Sequence, residues 1–215
     1  KRLQLLRSKG YMIYRDPFRL NIVGYRSRFV RSNRFDDEIH VFYTNEKGKW
    51  VYHMFKATTD PGQYWLNHPG HPKGTAFLKK GQYRHAYSLG LHRGVYPALV
   101  QTQSVNVIRN YERKGLFKWF ESGIEDTGRF GINIHRARNQ GTTKTIDNYS
   151  AGCLVFANAT DYKQLINIAK EHQKRYGNQF TVSLVDFRDE RRRRLSKIAW
   201  GTVLAAGGLF LINRI

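Results

Sequence analysis

The stretch 131–156 reads G-I-N-I-H-R-A-R-N-Q-G-T-T-K-T-I-D-N-Y-S-A-G-C-L-V-F and holds the chain's single cysteine, Cys153, eighteen residues after His135. A thiol is a strong nucleophile only as thiolate. With an ordinary pKa of roughly 8.5 it needs a neighbouring base or a positive field to react near neutral pH. An imidazole, with an ordinary pKa of about 6.5, can take that proton. Gly-Ile-Asn-Ile-His predicts a buried strand with His135 at its exit. Ser150-Ala151-Gly152 predicts a turn small enough for a substrate backbone to approach. The amides of Gly152 and Cys153 are candidates for an oxyanion hole, with Ser150 shaping the turn. The same residues also fit a plainer description, an inert core cysteine and an unrelated histidine, since lone cysteines are commonly buried and unreactive.

The spacing resembles the signature of the L,D-transpeptidases, cysteine enzymes that act on bacterial cell-wall peptides. Their pattern is a strand ending in Ile-His, a variable polar loop, and Ser-x-Gly-Cys followed by apolar residues. Here it is Ile134-His135, the loop 136–149, and Ser150-Ala151-Gly152-Cys153-Leu154-Val155. The resemblance implies Cys153 as nucleophile, His135 as base and a thioester acyl-enzyme, with no metal or organic cofactor. Two positions depart from the family. Many members carry His where this chain has Ala151, and Arg where it has Val155. Arg136 and Arg138 are the candidates to replace that arginine in holding a substrate carboxylate.

These residues need a scaffold. The hydrophobic content of 40% and aromatic content of 14% over 215 residues suffice for a cored domain with extensions. Segments 39–43 and 50–55 predict a hairpin around the polar turn 44–49. Further short strands are expected at 75–78, 81–89, 96–102, 105–108 and 180–184. Their regular turn signals point to a mainly β fold, a sandwich or barrel, and by the resemblance one of L,D-transpeptidase type. Tyr162, Leu165, Ile166 and Ala169 fall at helical spacing after N-cap candidates in 157–161, and Gly177 marks a stop, so one helix packs on the sheet. Residues 60–75 read as a long loop bordering a cleft. Its His68 and His71 lack the further ligands a metal site requires. His85 and His92 read as structural, and 112–120 as a basic–aromatic loop.

Formal charge is +21, which calls for a polyanionic neighbour: anionic lipid, nucleic acid or a wall polymer. Residues 1–35 carry ten Lys or Arg against Asp16 alone and lack the apolar core of a secretory signal. The expected organisation is a basic N-terminal arm over 1–38 with one or two short strands, a catalytic domain over 39–186, and a basic linker with an apolar C-terminal helix over 187–215. The apolar run 198–212 would cover about 22 Å as helix, less than the roughly 30 Å of a bilayer core. It fits a short anchor, an interfacial helix or an assembly contact. Two functions follow. One is a cysteine acyltransferase or peptidase on peptidoglycan stem peptides, placed at a cell envelope or in a virion, since basic chains of this type resemble those of bacteriophage genomes. The other is a non-enzymatic virion or envelope component using the same fold, with arm and tail serving assembly. Sequence-specific nucleic-acid reading is disfavoured, because the basic residues are spread along the chain rather than gathered on a reading helix.

Overall fold

The computed structural model describes residues 2–27, 33–109 and 123–193. In chain order the elements are α1 (Arg2–Ser8), β1 (Asn21–Arg26), β2 (Asp37–Thr44), β3 (Trp50–Thr58), α2 (Gln63–Asn67), β4 (Phe77–Leu78), β5 (Gly81–His92), β6 (Tyr96–Gln101), β7 (Val105–Arg109), β8 (Ile124–Gly128), β9 (Ile134–Arg136), β10 (Leu154–Phe156), α3 (Ala159–Tyr176) and β11 (Phe180–Asp186). The chain is mainly β, as the strand and turn pattern predicts. Strands β1-β11-β5-β6-β9-β10-β3-β2 close into a barrel, and β4-β7-β8 form a small second sheet. Every barrel pairing is antiparallel except β1 with β11 and β9 with β10.

Strand side chains alternate between two faces, and the apolar set fixes which face is inside. Ile22, Ile39, Val41, Phe55, Ala57, Tyr87, Leu99, Ile134, Leu154, Phe156, Val182 and Leu184 share one core with Tyr162, Leu165, Ile166 and Ala169 of α3. The helix begins where the sequence predicts. The Asn158 side chain caps the amides of Thr160 and Asp161, and Gly177 ends the helix at φ 80°. Each fully buried aliphatic side chain contributes about 1.5–3 kcal/mol.

Residues 1–38 are not a separate arm. β1 lies inside the barrel between β11 and β2. Leu5 and Leu6 of α1 are buried against Val23, Phe42 and Val185 on the barrel's outer wall. The basic residues that suggested an arm are partly neutralised in place: Arg2 by Glu38 and Glu190, Lys9 by Asp189, Arg19 by Asp16. Arg26 is 1% exposed and pairs with Asp60 at 2.9 Å. β1 is one of the short strands expected within this segment, and what the runs of charge concealed is its place in the barrel. The expected boundary at 186 also moves outward, because residues 187–193 are helical and Asp189 and Glu190 are the partners of Lys9 and Arg2. The expected loop 60–75 contains α2, and β5 runs unbroken to His92, past the break expected near Leu89. The apolar run 198–212 and the basic–aromatic segment 112–120 lie outside the described residues.

Candidate functional site

β9 and β10 run parallel, with Ile134 opposite Leu154, His135 opposite Val155 and Arg136 opposite Phe156. Ile134, Leu154 and Phe156 point into the barrel. By alternation Asn133, His135, Cys153 and Val155 project from the other face. His135 and Cys153 are therefore diagonal neighbours on adjacent strands, a separation that side chains span. The loop between the strands is stitched back by Ala137 N–H to Phe156 O at 3.1 Å and Thr143 N–H to Ala157 O at 2.8 Å.

The turn before β10 is built by its small residues. Ser150 Oγ donates to Cys153 O at 2.8 Å and accepts from the Gly152 amide at 3.2 Å. The Gly62 amide donates to Ser150 O at 2.8 Å. Gly152 has φ 124°, and a Cβ there would stand 2.4 Å from Ala76 O, so no other residue fits without displacing backbone. Ser150 and Gly152 thus hold the turn. The Gly152 amide, a candidate oxyanion donor by sequence, is occupied by Ser150, which leaves the Cys153 amide for that task.

Cys153 is 9% exposed. Its thiol donates to Gly131 O at 3.3 Å, and its sulfur accepts from the Asn133 amide at 3.4 Å. Burial pushes the thiol pKa up to about 11, against the pull of the Asn133 amide and the positive charge of Arg93. The resting group is the thiol.

His135 is 3% exposed. Its Nδ1 lies 2.9 Å from Arg136 O, and that bond assigns the ring proton to Nδ1. The Tyr96 hydroxyl sits 3.1 Å from the same nitrogen and donates to Arg136 O at 3.3 Å. Nε2 then carries the lone pair. It is buried and has no hydrogen-bond partner among the described residues. Burial first, then the neighbouring His92, push the ring's pKa down to about 3, so it is a neutral imidazole across the physiological range. The thiol and this imidazole share a face without a hydrogen bond between them.

Four residues of the site were not recognised in the sequence. His92, read there as structural, stacks on His135 with ring centroids 4.0 Å apart. It pairs with Tyr96 across the β5–β6 hairpin, so one hairpin end holds His135 by a ring face and by a hydroxyl. Asn133 gives its amide to the sulfur and its side-chain nitrogen to His92 Nδ1 at 3.2 Å. Arg93, in the turn of that hairpin, is the cation whose charge reaches Cys153. Alternation in Ile132-Asn133-Ile134-His135 already places Asn133 on the histidine's face. Nothing linear ties the turn at 93–95 to it.

The two arginines expected to bind substrate separate. Arg136 lies over the Tyr96 ring at 4.1 Å, next to His135 in the chain. Arg138 is exposed, and its Nε donates to Tyr149 Oη at 3.0 Å. Val155 is fully buried with Phe35, Ile146 and Ala157, which leaves that position no room for a charge. His68 and His71 hydrogen-bond within their own loop. Among the described residues no group of three His, Cys, Asp or Glu side chains is placed to hold a metal ion, and no helix is long and apolar enough to cross a membrane. A cavity of about 860 Å³ is lined by residues 33–38, 54–56 and 142–145 and includes none of the groups above. Comparisons with protein-family models, curated proteins and solved structures gave no match to this chain.

Proposed function

We propose that the chain is a cysteine-dependent acyltransferase or peptidase acting on peptidoglycan stem peptides, with a fold of L,D-transpeptidase type. The observation that carries this reading is the buried, unpartnered Nε2 of His135 on the same sheet face as Cys153. A buried imidazole nitrogen without a partner costs about 1–3 kcal/mol, and a thiol proton would satisfy it. When substrate displaces the thiol from Gly131 O, the Cys153 proton passes to Nε2 and the sulfur attacks the peptide carbonyl carbon. The S–C bond forms, the carbonyl π electrons move to oxygen, and in this reading the Cys153 amide donates to that oxyanion. Collapse of that intermediate breaks the C–N bond, and His135 returns the proton to the leaving amine. Attack on the thioester by an amine gives a cross-link, attack by water gives hydrolysis, and either step restores the thiol.

A second reading rests on a different observation. The thiol is 9% exposed and has its pKa pushed up to about 11, as in an inert core cysteine. In that case the protein is a non-enzymatic virion or envelope component. In both readings the +21 charge draws it to a polyanionic surface, a wall polymer, anionic lipid or nucleic acid.

Intact-protein mass spectrometry after incubation with a carbapenem separates the two. Acylation of Cys153 within minutes, slowed at least about a hundredfold in His135→Ala, is expected of an activated nucleophile. Equal, slow modification of both proteins sinks the catalytic reading and leaves the structural one.

A further inference from the structure

Val51, Phe55 and Ala57 of β3 pack on the barrel core, so alternation turns Trp50, Tyr52, Met54 and Lys56 outward. Trp50, Tyr52 and Met54 are 41%, 51% and 58% exposed. Single exposed apolar side chains are ordinary on a protein surface, but three at successive outward positions form a patch. Two of them are braced from below. Trp50 meets the buried Phe42 ring edge-on at 5.7 Å, and Tyr52 stacks on it at 6.2 Å. The Tyr52 hydroxyl is also hydrogen-bonded to His40 Nδ1. Rings fixed in advance lose little freedom when a partner stacks on them.

Cations bracket this row. Lys47 and Lys49 precede Trp50 in the hairpin turn. At the other end Arg34, Lys56 and Lys144 line the cavity of about 860 Å³ together with Met54. All five are exposed, and none has an ion pair among the described residues. The neighbouring acids are already answered. Glu46 pairs with Arg175, and Glu38 with Arg2 and His40. Asp37 accepts from the Ser27 amide and from the amide and hydroxyl of Thr59, and Asp36 is engaged in an interaction of its own. The cavity also holds a donor without an acceptor. Thr143 is 8% exposed, and its hydroxyl is buried with no hydrogen-bond partner among the described residues. A phosphate oxygen in the cavity would accept from it.

We infer that this face is a track for single-stranded nucleic acid, bound without sequence preference. Bases stack on Trp50 and Tyr52 and lie against Met54, and phosphates are held by the cations at the two ends and by Thr143. Outward side chains on one strand are roughly 6.8 Å apart, a step that an extended single strand follows with one base on each side chain. Unanswered positive charge calls for phosphate, and exposed rings call for bases. A lipid headgroup or a duplex would use the cations and leave the rings idle, whereas an uncharged glycan would use the rings and leave the cations idle. The inference does not rest on the catalytic reading of Cys153 and stands if that reading fails.

The test is fluorescence anisotropy with the full chain and fluorescein-labelled probes of about 20 nucleotides, long enough to cover one such track. The probes are oligothymidylate, an abasic deoxyribose-phosphate chain of the same length, and a duplex. Wild type should bind oligothymidylate at least about tenfold tighter than either of the others. That affinity should fall steeply between about 50 and 200 mM salt. Trp50→Ala should lose about tenfold on oligothymidylate and stay within about twofold on the abasic chain. Lys56→Gln with Lys144→Gln should weaken both single strands and flatten the salt slope by about one unit per lysine removed. The wild-type comparison needs no variant, so a misfolded variant does not remove the test. Equal affinity for oligothymidylate and the abasic chain, or a Trp50→Ala protein that binds both as wild type does, would reduce the face to unspecific charge and overturn the inference. Binding of no probe at low salt overturns it too. So does salt-insensitive, Trp50-dependent binding of an N-acetylglucosamine oligomer in place of oligothymidylate, which would assign the face to a glycan.

Discussion

His92 lies flat on His135, ring centroids 4.0 Å apart and planes inclined by 20°. Two neutral imidazoles stack well, whereas a charge on either is opposed by protonation of the other. His92 adds to the burial that keeps His135 neutral, and its own pKa is lowered by burial and by Arg93. The base form of His135 is therefore present at all working pH values.

A pH profile of Cys153 alkylation follows from this. A lone thiol pushed up to about 11 gains reactivity tenfold per pH unit up to that value. Assisted by a base already deprotonated above about 3, the wild-type rate should be nearly flat from about pH 5 to 9. His135→Ala should restore the tenfold slope. A wild-type profile with that same slope would show that His135 does not assist.

Tyr96→Phe removes the hydroxyl beside His135 Nδ1 and Arg136 O. The ring and its stacking surface remain, so the expected stability loss is about 1 kcal/mol. Carbapenem acylation should slow by about tenfold, because the imidazole loses one of the contacts that orient it. Unchanged acylation at unchanged stability would remove Tyr96 from the site.

Gly152→Ala forces a side chain into a φ of 124° with Ala76 O 2.4 Å away. A denaturation midpoint should register a loss of about 2–4 kcal/mol, above the usual range for a surface alanine. Thiol reactivity should change as well, since the Ser150 bonds that shape the turn move with it. A variant as stable as wild type would mean that the turn relaxes freely.

Val155→Arg places at this position the residue type that many members of the resembled family carry two positions after the cysteine. Here it would bury a charge among Phe35, Ile146 and Ala157. A loss of at least about 3 kcal/mol is expected, with no gain in activity on a carboxylate-bearing donor. A stable and more active variant would show that the pocket reopens around the new side chain.

Acid should weaken the fold through His135. Its folded pKa, about 3, lies below the ordinary 6.5, so its contribution is complete above 6.5 and is lost as pH falls toward 3. Its slope is at most about 1.4 kcal/mol per pH unit. Asp60, pushed up to about 8 by burial despite Arg26, has the opposite sign and loses its contribution as pH rises through about 8. The measurement is therefore a comparison. Chemical denaturation at about pH 7 and 4.5 should show a smaller acid loss in His135→Gln than in wild type. Equal losses would mean that the ring is not buried neutral.

Strand and helix types were readable wherever periodicity was undisturbed. The hairpin of β2 and β3, the capped helix α3 and the strand β11 follow from alternation, from Asn158 and Gly177, and from the run Phe180-Thr181-Val182. A short strand was readable at β1, but its place inside the barrel was not, because Arg26, which is buried against Asp60 thirty-four positions later, reads in isolation as surface. Of the candidate site, Cys153, His135, Ser150 and Gly152 were singled out by local spacing and by the family resemblance. His92 and Tyr96 were not, since each reaches the surroundings of His135 through a pairing that joins distant segments.

The parallel pairing of β1 with β11 has a consequence for synthesis. Ile22 is matched with Val182 and Arg26 with Asp186, so the seam joins the first barrel strand to the last. A ribosome-bound chain carries β1 with one edge unpaired until nearly all of the barrel sequence has emerged. Closing so long a loop is entropically slow, and open strand edges invite pairing with other chains in the meantime. Expression yield should therefore respond to chaperone supply and growth temperature, and truncation before Phe180 should yield an aggregating product in place of a smaller folded one.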